Sequence, residues 1–144
     1  MTANEASIRP FRHSDRYAVR KLWEKSELLR PWNDPDADID RKVKVNPELF
    51  LVAVLNEKLV GTVMGGYEGH RGWINYLATD PDYRNRGIAR KLLEHLEAQL
   101  LERGCPKINL QIREDNQEMR AFYERMGYNQ DPAISMGKRL IKDN

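Results

Sequence analysis

Apolar positions along the chain follow two periods, and the periods alternate. Ile8 to Arg12 reads as a short strand, and Ser14 or Asp15 then caps a helix predicted to run to about Leu29. Val19, Leu22, Trp23 and Leu29 keep helical spacing there, with Ser26 as a polar break. Pro31 stops this helix, and residues 31–36, rich in proline and acids, read as a loop before a short second helix from Ala37 to Val45. Phe50 to Leu55 and Leu59 to Tyr67 are β-type runs joined by a turn at Asn56-Glu57-Lys58, and a second turn at residues 68–72 leads into a strand from Trp73 to Thr79. Asp80-Pro81 closes it. From about Arg86 to Arg103 the helical period is strongest, with Ile88, Leu92, Leu96 and Leu100 in one row, Ala89 and Leu93 beside it, and Gly104 as the stop. Lys107 to Ile112 is a buried-type strand. Asn116 caps a last helix to Met126, whose inner face carries Met119, Phe122, Tyr123 and Met126, and one or two closing strands are expected from Tyr128 through Ile134 to Leu140. The order β-α-α-β-β-β-α-β-α-β-β predicts an α/β (α+β) protein. Its sheet is mixed and mostly antiparallel, with six to seven strands and helices on both faces.

Composition narrows the class. A chain of 144 residues fits one domain, taken as 1–144 with flexible ends expected at 1–6 and 141–144. It is long enough to bury a core without a disulfide or metal staple. Lys and Arg number 24 against 22 Asp and Glu, and the two signs are mixed, so no basic face for nucleic acid is expected. No apolar run approaches the roughly 20 residues of a membrane helix, and residues 1–9 do not read as a signal peptide; a cytoplasmic protein is expected. The single cysteine, Cys105, excludes an intramolecular disulfide and a cysteine-rich zinc site and reads as a buried thiol. His13, His70 and His95 lack metal-ligand spacing, and no metal is expected.

Candidate chemistry concentrates where the third strand of the meander feeds the long helix. The stretch is Leu77-Ala78-Thr79-Asp80-Pro81-Asp82-Tyr83-Arg84-Asn85-Arg86-Gly87-Ile88-Ala89. The first turn of a helix carries unpaired N–H groups and the positive end of the dipole, which suits an anion. Gly87 and Ala89 leave the backbone open to a phosphate, and Arg84, Arg86 and Arg90 add charge. Equally, small residues at that turn could serve close helix–sheet packing. Gly61, Gly65 and Gly66 lack the Lys-Ser/Thr pair of a P-loop and lie within a strand.

Arg84-Asn85-Arg86-Gly87-Ile88-Ala89 resembles the acetyl-CoA motif (Q/R)-x-x-G-x-(G/A) of the GCN5-related N-acetyltransferase (GNAT) superfamily. It follows Asp80-Pro81-Asp82-Tyr83, similar to that family's D-P-x-(Y/F) turn. Downstream, Asn116 with Ala121-Phe122-Tyr123-Glu124-Arg125-Met126-Gly127-Tyr128 resembles a second family motif, and the element order agrees over about residues 8 to 140. The resemblance implies a GNAT fold and an acetyl-CoA-dependent N-acetyltransferase that transfers acetyl directly to an amine. It implies that the backbone of Leu77, Ala78 and Thr79 pairs with the pantetheine arm. It implies that the N–H groups of Arg84, Asn85, Arg86, Gly87, Ile88 and Ala89 hold the pyrophosphate, and that Asn116 reaches the pantetheine or ribose. Tyr123 matches the tyrosine that protonates the departing thiolate. The acceptor would be a small-molecule or protein amine, and a homodimer is a family expectation.

The base is less defined. Ribosomal-protein N-terminal acetyltransferases of this superfamily carry a Glu in an L-E-V-R-like context, whereas this chain has Leu110-Gln111-Ile112-Arg113. Glu68 and His70, in the turn before the central strand, are the nearest substitutes, though a glycine-flanked turn is usually only solvated. Acceptor selectivity is expected from the loop between the first two helices, with Trp32 and Asp34 as candidates; Asp34 equally suits a helix cap, with Asp36, Asp38 and Asp40 favouring the positive helix end. Two alternatives remain beside the transferase: a non-catalytic acyl-CoA-binding sensor on the same scaffold, and a protein N-terminal acetyltransferase.

Overall fold

A computed structural model describes residues 5–143 of the chain. Five strands form one sheet in the order β1-β2-β3-β4-β5. They are β1 (Ser7–Pro10), β2 (Phe50–Leu55), β3 (Lys58–Tyr67), β4 (Gly72–Thr79) and β5 (Ile108–Leu110). The first three pairings are antiparallel, and β4 with β5 is parallel. Helices α1 (Arg16–Lys25) and α2 (Pro35–Lys42) cover one face, while α3 (Ile88–Glu102) and α4 (Gln117–Arg125) lie on the other. Among the described residues no helix is long and apolar enough to cross a membrane.

Each face has its own core. Toward α3 and α4, Leu51, Ala53, Val63, Ile74 and Leu77 of the sheet meet Leu92, Leu93, Leu96, Leu100 and Tyr123. Toward α1 and α2, Phe50, Val52, Met64 and Ala78 meet Val19, Leu22, Trp23 and Ile39. The unbroken apolar run of β2 is therefore a strand buried on both faces.

The glycines of β3 set how closely α3 lies. A Cβ added at Gly61 would stand 2.9 Å from Leu92 Cδ1, and one at Gly65 would stand 2.3 Å from Leu96 Cδ1. These residues are small for helix–strand packing. Cys105 is likewise structural: it is buried, and its Sγ would lie 2.9 Å from a Cβ at Gly72.

Several element bounds differ from those expected. α1 ends at Lys25 rather than near Leu29, because Glu27 takes a left-handed φ of 59° and the Leu28 N–H bonds back to the Trp23 carbonyl at 3.0 Å. α2 starts earlier, at Pro35, because Asp34 caps it. Among the described residues no closing strands form: the sheet has five strands, and β5 is its edge. Residues 129–143 are tied down by side chains instead, Asp131 accepting from Lys107 at 2.9 Å and from Asn109 at 2.7 Å, and Arg41 gripping Asp143 at 2.6 Å. Pro132 has no N–H to offer a ladder. Ile134 and Met136 are each 91% exposed, so no second layer rewards a strand there. Of the ends expected to be flexible, residues 1–4 and 144 lie outside the described residues; Ala6 is buried against the main core.

Gly65→Ala is expected to lower the unfolding free energy by about 1–3 kcal/mol, because fully buried Leu96 has nowhere to move. Gly66→Ala, with nothing nearer than 3.9 Å to its new methyl, should stay within about 0.5 kcal/mol of the parent. Urea unfolding of the two variants checks the contrast.

Candidate functional site

β4 is interrupted in its middle. Thr62 pairs with Ala78 and Met64 with Asn75, so Val63 alone faces both Tyr76 and Leu77. This is a β-bulge, and Tyr76 takes a left-handed φ of 52° within it. Buried Thr62 holds the bulge. Its hydroxyl accepts from the Trp23 indole N–H at 2.9 Å and donates to the Tyr76 carbonyl at 2.8 Å. The Trp23 and Tyr76 rings stack with centroids 3.9 Å apart.

The bulge matters because β5 pairs with β4 only before it. The parallel register runs from Gly72↔Ile108 to Ile74↔Leu110 and stops. From Asn75 onward the β4 edge has no neighbouring strand, and the two chains diverge into a groove of about 1740 Å³. Its walls include Trp32, Asn33, Tyr76 and Leu77 on one side, with Gln111, Asn116, Met119 and Tyr123 on the other. Unpaired β4 edge groups can bond an extended amide chain laid along the slot, as a further strand would.

Beyond Thr79 the chain makes an anchored turn. Asp80 is buried; its carboxylate accepts from the Asp82 N–H at 2.9 Å and meets the Lys25 ammonium at 2.9 Å and the Lys58 ammonium at 3.6 Å. Burial alone would push this carboxyl up, but the Asp82 N–H and the Lys25 charge outweigh it and hold it below its usual value. The turn delivers Asn85 at φ 64° and Gly87 at φ 73°, and Gly87 is the N-cap of α3. The first turn of α3 holds no acidic residue. A Cβ on Gly87 would meet nothing within 4 Å, so this glycine, unlike Gly61 and Gly65, is not small for packing. Ala89 does pack partly against the core. The free N–H groups, the open backbone and the guanidinium groups of Arg84, Arg86 and Arg90 suit a pyrophosphate. Arg84 lines the main groove, while Arg86, Gly87, Ile88 and Arg90 border a smaller hollow of about 280 Å³.

Tyr123, on α4, is only 5% exposed and lines the groove. Phe122 and Tyr128 meet its ring edge-on, each at 5.3 Å. Among the described residues none hydrogen-bonds its hydroxyl, which is not one of the polar atoms sealed from solvent. Burial raises its pKa well above that of an ordinary phenol, so the proton stays on at neutral pH. Asn116 accepts from the Met119 N–H at 3.1 Å and caps α4. Leu77 faces the groove, Ala78 packs under α1, and the Thr79 carbonyl accepts from the Ser26 hydroxyl at 3.4 Å.

The acceptor-side candidates divide. Trp32 is 46% exposed in the groove, with the Arg113 guanidinium 5.4 Å over its ring. Asp34 is a cap, accepting from the Asp36 and Ala37 N–H groups at 3.0 and 3.2 Å. Asp36 and Asp40 pair with Arg16. Glu68 and His70 do not reach the groove. They sit in the hairpin at the far end of β4, where the Glu68 carboxylate closes the turn by accepting from the His70 and Arg71 N–H groups. Tyr76 was missed; the available signal was a break in alternation, with Ile74 and Leu77 on one face three residues apart.

The sequence pattern of the Acetyltransferase (GNAT) family matches residues 16–128. An acetyltransferase of Pectobacterium atrosepticum is 54% identical over 136 residues, covering 94% of this chain and 96% of its own length. One from Sodalis glossinidius is 54% identical over 137 residues, with the same coverage. Among solved structures, the ribosomal-protein-S18-alanine N-acetyltransferase from Escherichia coli superposes with a TM-score of 0.75 at 23% identity, over 88% of this chain and 79% of that one. AAC(6')-Iy, solved with a bisubstrate analogue of CoA, superposes with a TM-score of 0.77 at 15% identity, over 95% of this chain and all of its own. These two likenesses bear on the fold alone.

Thermal unfolding with acetyl-CoA tests the loop. At about 100 times Kd, a ligand bound only by the folded state adds roughly 2.7 kcal/mol. The wild type should show the corresponding rise in Tm, and Gly87→Glu, which puts a carboxylate into the open space, should lose it. An unshifted wild type would remove the loop from cofactor binding.

Proposed function

The chain belongs to the Acetyltransferase (GNAT) family, and we propose that it transfers the acetyl group of acetyl-CoA directly to an amine, with Tyr123 as general acid. The observation that carries this reading is a slot beside β4 lined by a largely buried tyrosine, Tyr123, whose hydroxyl no described residue engages. The hydroxyl is not among the sealed polar atoms, so it stands available to a departing thiolate in the groove that Tyr123 lines.

In this reading the chain performs three tasks. The Arg84 to Ala89 loop neutralises the pyrophosphate with backbone N–H groups and arginines. The free β4 edge at Leu77, Ala78 and Thr79 aligns the pantetheine amides, and Asn116, at the start of α4, borders the same arm. Tyr123 gives its proton to the sulfur as the C–S bond breaks. Its raised pKa keeps that proton in place until a strong base, the thiolate, forms beside it. Bound acetyl-CoA supplies the activated acyl group.

Two features bear on the acceptor. Trp32 and Arg113 face the groove from opposite walls and would contact whatever approaches the acyl carbon. Gln111 stands where N-terminal acetyltransferases resembling this chain carry Glu, and its amide is bonded to the Ser135 hydroxyl. That favours an amine acceptor handled by other groups over the N-terminal reading.

Tyr123→Phe keeps the ring and removes only the acid. Thiol release from acetyl-CoA with an accepted amine should fall by roughly 10²–10⁴-fold, the usual worth of such catalysis. A fall below about threefold would assign the proton elsewhere.

A further inference from the structure

The transferase reading needs a group to take the proton of the attacking amine, and the candidates from the sequence do not supply it. Glu68 and His70 lie at the wrong end of β4, and Gln111 is no base. Glu97, which borders the groove, accepts from the Tyr128 hydroxyl at 2.6 Å, but both flank Tyr123 on the α3 side. On the opposite wall the bulge turns Tyr76 into the groove. Its hydroxyl donates to Asp38 Oδ2 at 2.6 Å and accepts from the Asn33 amide at 3.2 Å.

We propose that Tyr76 receives the proton of the incoming amine and passes its own to Asp38. The inference rests on the transferase reading above. A phenol oxygen has one proton to give and two lone pairs to accept with. Asp38 takes the phenol proton in a hydrogen bond and Asn33 fills one lone pair, which leaves the other to accept from a group in the groove that Tyr76 lines. An ammonium docking there donates one N–H to Tyr76. The ammonium proton moves to the phenol oxygen as the phenol proton moves to the carboxylate. The charges balance: ammonium and carboxylate become free amine and carboxylic acid, and the phenol is unchanged. The amine lone pair then forms the N–C bond as the C–S electrons leave on sulfur; sulfur takes the Tyr123 proton, and the second proton shed by nitrogen as the amide forms replaces it, so the products are amide and thiol with one proton left on Asp38.

The surroundings support a relay over a free phenolate. Burial, with the hydrogen bond to Asp38, holds the Tyr76 pKa far above its ordinary value, so Tyr76 cannot lose a proton without gaining one. Asp38 faces charged groups on two elements. Arg41, one turn along α2, lies 3.3 Å from Oδ1 and is itself bound by Asp143 at 2.6 Å. Asp34, at the start of α2, adds negative charge near Tyr76. From α1, Arg16 is occupied by Asp36 and Asp40. Thus Asp38 keeps one oxygen on a cation and one on Tyr76. Tyr76 is the catalytic residue of this pair; Asp38 and Asn33 are positioning residues, with Asp38 also the proton's destination.

A purely structural strap between α2 and β4 is the competing role, and the nature of the amine separates the two. Tyr76→Phe, Asp38→Asn and Asp38→Glu are assayed by thiol release from acetyl-CoA, with an alkylamine and with hydroxylamine, at mildly alkaline pH. The alkylamine is then mostly protonated and hydroxylamine already neutral. The relay predicts that Tyr76→Phe and Asp38→Asn lose roughly 10²–10⁴-fold in kcat/KM with the alkylamine, less than about threefold with hydroxylamine, and that Asp38→Glu recovers part of the loss. Equal losses with both amines would assign the pair to structure and overturn the inference. So would a loss in Asp38→Asn without one in Tyr76→Phe. If Asp38→Asn fails to fold, Tyr76→Phe, which keeps the ring on Trp23, carries the same comparison. A wild type that binds acetyl-CoA yet releases thiol with neither amine overturns the transferase reading, and the inference with it.

Discussion

One buried hydroxyl organises the middle of this protein. Thr62 is fully buried in β3, and it ties the indole of α1 to the carbonyl of Tyr76. Without that acceptor the Trp23 N–H would be an orphan in the core, and without that donor the bulge carbonyl would be one. Each such group costs about 1–3 kcal/mol when left unsatisfied. Both elements are therefore pinned by the same oxygen. The left-handed φ at Tyr76, unfavourable for a side chain this large, persists because the surroundings over-determine it. From the bulge follow the end of β4–β5 pairing, the divergence of the two strands, and the groove between them.

A second constraint acts at the top of β4. Asp80 gathers Lys25 from α1, Lys58 from β3 and the N–H of its own turn. The loop that follows inherits this fixed start and ends in the first turn of α3. Close packing of α3 on Gly61 and Gly65 sets the other boundary, because the helix cannot slide without driving Leu92 or Leu96 into the sheet. Open backbone at Gly87 is thus held between two rigid supports, as the proposed pyrophosphate cradle would require.

Much of this was legible in the sequence, for identifiable reasons. The row Ile88, Leu92, Leu96, Leu100, with Ala89 and Leu93 beside it, has the i, i+3, i+4 spacing of a helix rather than the alternation of a strand, and all four of the row are buried. Asn116 and Gly104 are local signals with local causes. The end of α1 was not legible, since it turns on a left-handed glutamate rather than on Pro31. The absent closing strands were not legible either, because a run such as Ile134 to Leu140 has strand composition but nothing to pack against. Glu68 and His70 were plausible by proximity in sequence and fail by distance along the strand, which carries each residue about 3.3 Å farther from the slot. Tyr76 was hidden by the bulge, since strict alternation gives no reason to turn it toward a site.

The two tyrosines reach the groove from opposite layers. Tyr123 belongs to the core under α3 and α4, while Tyr76 packs with Trp23 under α1 and α2. Acyl transfer asks for this separation. The nucleophile approaches one side of the acyl carbon with a proton to lose, and sulfur departs with a proton to gain. A single group serving both would have to move between them. Two phenols on separate faces of a sheet need not move, and burial keeps each from ionising on its own. What distinguishes them is the partner: the Tyr76 hydroxyl donates to the Asp38 carboxylate, whereas among the described residues none accepts from Tyr123. In the proposed reaction an identical side chain would serve as base on one wall and acid on the other, by the layer of the fold into which each is set.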